Sequence, residues 1–240
     1  MSIRVDEIGF GGIKLLQDTD AFCYGVDSVL AADMCKVKHS DKVLDLCCGN
    51  GAIALIVCAV YAPEHVTGLE ILKDAVELAQ RSAELNGLSD KVDLICGNAA
   101  DIENYIKAGS FDAVVCNPPY FEKGRGVGCG ASVKDSARHE NSAGLWDFFR
   151  AAAYALRTGG SFYLVHRPQR LADLMECARK TGLEPKQLRM VCPHQGDVPN
   201  LLLLKCVKGG GAELKMLPAL VVRNRDGSFT EEIDRIYRRK

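Results

Sequence analysis

Val43-Leu44-Asp45-Leu46-Cys47-Cys48-Gly49-Asn50-Gly51 runs directly into a second apolar stretch, Ala52–Tyr61. The short apolar run at its head reads as a buried strand, and the longer one after the glycines as a helix. Such a strand–turn–helix leaves bare backbone at Gly49 and Gly51, where a side chain would take the space a ligand needs. About twenty residues further on, Glu70 ends the next strand, where a carboxylate can accept from both hydroxyls of a ribose. The spacing is not G-x-G-x-x-G and no P-loop lysine follows, so neither a dinucleotide fingerprint nor a triphosphate cradle is present.

The same alternation extends in both directions. Strands are predicted at Lys42–Leu46, His65–Glu70, Val92–Cys96, Phe111–Cys116, Ser161–Val165, Lys186–Cys192 and Leu201–Val207. Helices are predicted between them at Ala52–Tyr61, Leu72–Asn86, Ala100–Ala108, Leu145–Arg157 and Arg170–Lys180. In Leu72–Asn86 the residues Ala75, Leu78, Ala79 and Ala83 recur at helical spacing, and Gly87 closes the element. The pattern predicts an α/β fold, a seven-stranded and mostly parallel sheet with helices on both faces. Residues 1–41 read as an N-terminal arm packed on the core, with a helix at Val26–Met34. Residues 42–208 read as the main domain, and 209–240, opening on a run of three glycines, as a C-terminal extension. Residues 121–141 break the rhythm with Gly124, Gly126, Gly128 and Gly130 among Lys123, Arg125, Lys134 and Arg138, and read as a long loop.

Composition bounds the function. Of 240 residues 48% are hydrophobic and 25% charged, enough to bury a full core. Ala52–Val60 is far short of the roughly 18 apolar residues a membrane span needs, and the start carries no secretory pattern, so a cytoplasmic protein is expected. Thirty basic residues against 31 acidic exclude a polycation but not an enzyme with a local basic face. The 11 cysteines include no C-x-x-C pair and sit among apolar neighbours. They read as small buried hydrophobes in a reducing compartment, with no metal site expected.

A second motif, Asn117-Pro118-Pro119-Tyr120, stands where the fourth strand ends, the edge at which open parallel sheets carry reactive groups. Two prolines fix the backbone and remove two amide donors. The Asn117 side-chain carbonyl and the Pro118 main-chain carbonyl can then each accept one hydrogen of a planar amino group. Held at both hydrogens, that nitrogen can turn its lone pair toward an electrophilic methyl. Tyr120 offers a face on which a base can stack, worth roughly 1–3 kcal/mol.

The two motifs in this order resemble those of class I S-adenosylmethionine-dependent methyltransferases, with a Rossmann-like fold. The tetrad is similar to that of enzymes acting on adenine N6 in nucleic acids and on the glutamine amide of release factors. The resemblance implies Asp45 and the Gly49–Gly51 turn near the methionine part of the cofactor, Glu70 at its ribose and Asp101 beside its adenine. It implies Tyr24, Asp27, Cys47, Ile71, Asn98, Ala100 and Asn117 as further residues lining the cofactor. Cys47 stands where the family has its first glycine. Tyr24–Asp33, Ala137–Glu140, His166–Leu171 and Asp226–Ile233 resemble segments of the bacterial tRNA1(Val) adenine-N6 methyltransferases, in their Gram-positive branch. That resemblance implies a tRNA substrate, with Asn117, Pro118, Pro119 and Tyr120 catalytic and Lys123, Arg125, Arg138 and His139 near the RNA.

Two alternatives stand beside it. Release-factor methyltransferases place a helical domain ahead of the first motif, and 42 residues before Val43 are too few for one. A silent RNA-binding relative would have no need of paired acceptors at Asn117 and Pro118. Arg235, Arg238, Arg239 and Lys240 make a basic end that, with the loop, could draw phosphate.

Overall fold

The computed structural model describes residues 2–20, 23–120 and 143–237. The chain opens with a hairpin of β1 (Ile3–Glu7) and β2 (Lys14–Asp18), then α1 (Val26–Met34). β3 (Lys42–Leu46), α2 (Ala52–Tyr61), β4 (His65–Glu70), α3 (Lys73–Leu85), β5 (Val92–Cys96), a 3-10 helix (Ala99–Asn104) and β6 (Phe111–Cys116) follow in alternation. The second half holds α4 (Leu145–Ala155), β7 (Leu156–His166), α5 (Leu171–Lys180), β8 (Leu183–His194), β9 (Leu201–Lys208), β10 (Lys215–Arg223) and α6 (Glu231–Ile236).

The main sheet runs β10-β8-β9-β7-β6-β3-β4-β5, and β9 alone among its strands runs against its neighbours. It has eight strands where the sequence reading expected seven. The eighth, β10, comes from the C-terminal extension and pairs in parallel with β8. Pro218 disguised it: a proline has no N–H for the ladder and is tolerated on an edge strand, here beside a register shift between Leu217 and Leu220.

Successive strand residues feed opposite faces. Val43, Ala113, Val115 and Val165 join α1 and α2 in one core; Leu44, Leu46, Val114, Cys116 and Leu164 join α4 and α5 in the other. Ala52 through Cys58 are all buried, which is why α2 is apolar all round rather than on one stripe. The arm and the extension meet over the first core, where Tyr237 stacks against both Phe10 and Phe229 at centroid distances of 6.1 and 5.7 Å. The hairpin is tied to α3 by Leu16 N–H donating to Ser82 Oγ at 2.9 Å and Lys14 N–H to Asn86 Oδ1 at 2.9 Å.

β3 leads outward to β4 and β5 on one side, whereas β6 and β7 lie on the other. The order of the sheet therefore reverses between β3 and β6, and Leu46 pairs across that line with Cys116. The crevice beyond the carboxyl ends of these two strands is where such sheets bind ligands. Both motifs emerge there. Among the described residues no helix is long and apolar enough to cross a membrane.

Candidate active site

The turn after β3 is held by backbone and by one carboxylate. Cys47 and Cys48 N–H both donate to Leu69 O, at 2.9 and 3.2 Å, and Gly51 N–H closes onto Cys48 O at 2.8 Å. Glu70, buried at the end of β4, accepts Gly49 N–H on Oε2 and Leu72 N–H on Oε1, each at 3.0 Å. The residue expected at the ribose thus also shapes the turn; each oxygen keeps a lone pair for a further donor. Ile71 and Leu72 beside it are exposed apolar side chains, 40% and 48% accessible.

The two glycines serve different ends. Gly51 has φ +84°, and a Cβ there would lie 3.0 Å from Ala79 Cβ, so its bareness lets α3 pack against the turn. Gly49 has φ +53°, and a Cβ there would meet nothing within 4 Å. The sequence reading gave both to the ligand; only Gly49 faces open space. Cys47 holds φ +65°, a left-handed conformation strained for a side chain and natural to the glycine of the related motif.

Asp45 is fully buried on the α2 face, and its Oδ2 accepts Ala54 N–H at 3.0 Å. Its Oδ1 has no hydrogen-bond partner among the described residues. Burial pushes the carboxyl up to about 8; Glu70 adds to the rise, and the Ala54 N–H opposes it. A buried acceptor without a partner, at the foot of a turn with free space above Gly49, fits a ligand that brings donors and positive charge.

Asn98 caps the 3-10 helix, its Oδ1 accepting Ala100 N–H at 3.0 Å, and Asp101 lies exposed on that helix. Arg150 on α4 donates to Ala100 O and pairs with Glu103 at 3.4 Å, fixing this loop from the opposite element. Nothing local in the sequence marked Arg150 for this place.

At the tetrad, Asn117 Nδ2 donates to Ser28 Oγ at 3.2 Å, and its Oδ1 accepts the Tyr120 hydroxyl at 2.7 Å. The same hydroxyl lies 3.0 Å from Asp27 Oδ2. Asp27, expected at the cofactor, therefore contacts the tetrad; Tyr24, three residues earlier, is held by its N–H on Gln17 Oε1 at 2.9 Å. The Tyr120 ring packs edge-on against His166, centroids 5.3 Å apart, with the Arg167 guanidinium 5.2 Å from the ring centre. His166 Nδ1 accepts Arg167 N–H at 2.8 Å, and burial pushes its imidazole down to about 4. It is neutral at physiological pH. Lys123, Arg125, Arg138 and His139 lie outside the described residues. Among the described residues no group of three or more His, Cys, Asp or Glu is placed to hold a metal.

A cavity of about 290 Å³ lined by Lys42, His65 and Phe111 opens at the starts of β3, β4 and β6, the opposite end of the sheet. It lies away from both motifs.

Comparison with known proteins places the family and the fold. The family model described as the methyltransferase small domain matches residues 13–178. A Mannheimia succiniciproducens protein named tRNA1(Val) (adenine(37)-N6)-methyltransferase is 28% identical over 224 residues, covering 93% of this chain and 89% of that protein. One of the same name from Haemophilus influenzae is 27% identical over 231 residues, 92% of each chain. The fold is shared with the crystal structure of a predicted O-methyltransferase from Agrobacterium tumefaciens. That match has a TM-score of 0.71 at 24% identity and spans 88% of this chain and 95% of the other.

Proposed function

We propose, from the premise that this chain belongs to the methyltransferase small domain family, that it transfers a methyl group from S-adenosylmethionine to the N6 amino group of an adenosine in tRNA. The nucleotide we assign is the one next to the anticodon of a valine tRNA, the activity named for the Mannheimia and Haemophilus relatives. The observation that carries the reading is the tetrad at the switch point of the sheet, one strand away from the Gly49 turn and the unpartnered Asp45 Oδ1.

Asp45 and the 47–51 turn would hold the methionine part of the cofactor, Glu70 the ribose hydroxyls, Ile71 the adenine face, and Asn98, Ala100 and Asp101 the adenine edge. When bound, the cofactor supplies a methyl group on a sulfonium. Asn117 Oδ1 and Pro118 O accept the two hydrogens of the target amino group and aim its lone pair, and Tyr120 supports the base. His166 packs edge-on against the Tyr120 ring, whose other neighbour is the Arg167 guanidinium, and helps hold that ring in place. The weakly basic nitrogen needs orientation rather than a strong base before attack, and its proton leaves to water afterwards. The base must leave its stack to reach the tetrad, which costs least in a single-stranded anticodon loop. Lys123, Arg125, Arg138 and His139 would touch phosphates around it. The flanking motifs support a place in the Gram-positive branch of these enzymes, and the apolar setting of the cysteines supports a reducing, cytoplasmic site of action.

Purified protein with methyl-labelled cofactor should label unmodified tRNA and leave a release-factor glutamine loop untouched. Label in the protein fragment and none in RNA would replace this reading with glutamine methylation.

A further inference from the structure

Beyond the tetrad, β7, β8 and β10 end on the same edge of the sheet as β6, because all three run parallel to it and β9 alone opposes them. The ends of two of these strands are basic. Arg167 follows β7, Arg223 closes β10 and Arg225 lies two residues further on, and all three are exposed. Neighbouring arginines are engaged within the protein: Arg170 holds Asp173 at 2.6 Å and Arg189 holds Glu232 at 2.8 Å. Arg167, Arg223 and Arg225 have no ion pair among the described residues. Two of them are held in place by rings. The Arg167 guanidinium lies 5.2 Å from the centre of the Tyr120 ring, and that of Arg223 lies 4.4 Å from the centre of Phe229. Arg223 also donates one Nη1–H to Gly227 O at 2.6 Å. A flat cation resting on a ring keeps its N–H edge for an anion, and a guanidinium has five such hydrogens to offer. The carboxylates nearby in sequence are engaged locally. Asp197 meets His194 Nδ1 at 3.0 Å, and Asp226 Oδ1 accepts Ser228 N–H and Oγ–H at 2.9 and 2.6 Å.

We propose that Arg167, Arg223 and Arg225 form a row of phosphate contacts that seats the RNA backbone across the ends of β7, β8 and β10, on the side of the tetrad away from β4 and β5. The inference rests on the tRNA methyltransferase reading above and adds the face on which the RNA lies. The half of the edge at β3, β4 and β5 carries the residues assigned to the cofactor, which leaves the β7–β10 half for the larger substrate. Three strand spacings separate β7 from β10, about 14 Å at about 4.8 Å each. Arg167, against the Tyr120 ring, is the cation beside the phosphate of the extruded nucleotide; Arg223 and Arg225 take phosphates further along the strand. With 30 basic and 31 acidic residues the chain has no general attraction for RNA, so a local row of unpaired cations has to supply it.

The test is the salt dependence of binding to a fluorescein-labelled tRNA anticodon stem-loop, read by anisotropy across a potassium chloride series. Log affinity falls linearly with log salt, by about 0.7 to 0.9 for each phosphate neutralised. Arg167→Gln, Arg223→Gln and Arg225→Gln should each reduce the slope by about that amount, and the triple variant by about 2 to 3. Arg223→Lys, which keeps the charge, should retain the wild-type slope and guards against a Gln variant that folds poorly. Arg81→Gln is the matched control. Arg81 is exposed on α3, which packs against β5 at the far edge of the sheet, and has no ion pair among the described residues. Its loss should leave the slope unchanged. Wild-type slopes in all three Gln variants, with the wild-type chain methylating RNA, would overturn the row alone. A reduction as large for Arg81→Gln would do the same, by showing that net charge and not this edge sets the affinity. A wild-type chain that neither binds nor methylates RNA overturns the row and the parent reading together.

Discussion

Alanine at Gly49 and alanine at Gly51 should fail in different ways, although both glycines belong to one turn. Each has a positive φ, +53° and +84°, so each substitution costs about 1–2 kcal/mol of conformational strain. At Gly51 the new methyl also arrives 3.0 Å from Ala79 Cβ and 3.4 Å from its Cα, backbone that cannot rotate aside. Overpacking of that kind adds about 1–3 kcal/mol, for a total of about 2–5. At Gly49 no protein atom stands within 4 Å, so stability should fall by the strain alone. The methyl would then enter the space we propose for the cofactor, and affinity should drop by more than about tenfold, the equivalent of 1.4 kcal/mol. Urea unfolding measures the first quantity and calorimetry with S-adenosylhomocysteine the second. If Gly49→Ala bound the nucleoside like wild type, the cradle assigned to this turn would be wrong.

Glu70→Ala strips acceptors from the Gly49 and Leu72 amides and should cost about 2–4 kcal/mol in urea unfolding, water restoring part of two charged hydrogen bonds. Cofactor affinity should fall with it, and an unchanged urea midpoint would refute the structural half of that role. Asn117→Ala should slow saturated single-turnover transfer by about 100-fold or more while cofactor affinity stays within a few-fold; a wild-type rate would remove the tetrad from catalysis. His166 titrates near 4 when folded against 6.5 when exposed. Between those values the unfolded chain binds a proton that the folded one refuses, so stability falls as pH drops, by roughly 3 kcal/mol once below 4. His166→Gln, which can still accept from Arg167 N–H, should lose less between pH 7 and 4.5; identical losses would show that His166 is not the group responsible.

What the sequence made legible was local. β3, its turn and α2 lie within twenty residues and carry their own punctuation, and the tetrad needs only its prolines and the end of β6 to be recognised. Glu70 was found by its distance from the turn. Contacts between distant segments left no such trace. Nothing near Asp27 announces Tyr120, and nothing near Gly51 announces that a side chain there would meet Ala79. Arg150 reaches Ala100 from a helix whose sequence only shows an amphipathic surface. The eighth strand was hidden because an edge strand tolerates the Pro218 that a central strand would not.

The most direct measurement of the central claim is nucleoside mass spectrometry on purified valine tRNA from a strain lacking this gene, complemented with wild-type protein or with Asn117→Ala. N6-methyladenosine next to the anticodon should vanish on deletion, return with wild type and stay absent with the variant. Persistence of the methylated nucleoside in the deletion strain, or its restoration by Asn117→Ala, would contradict the account.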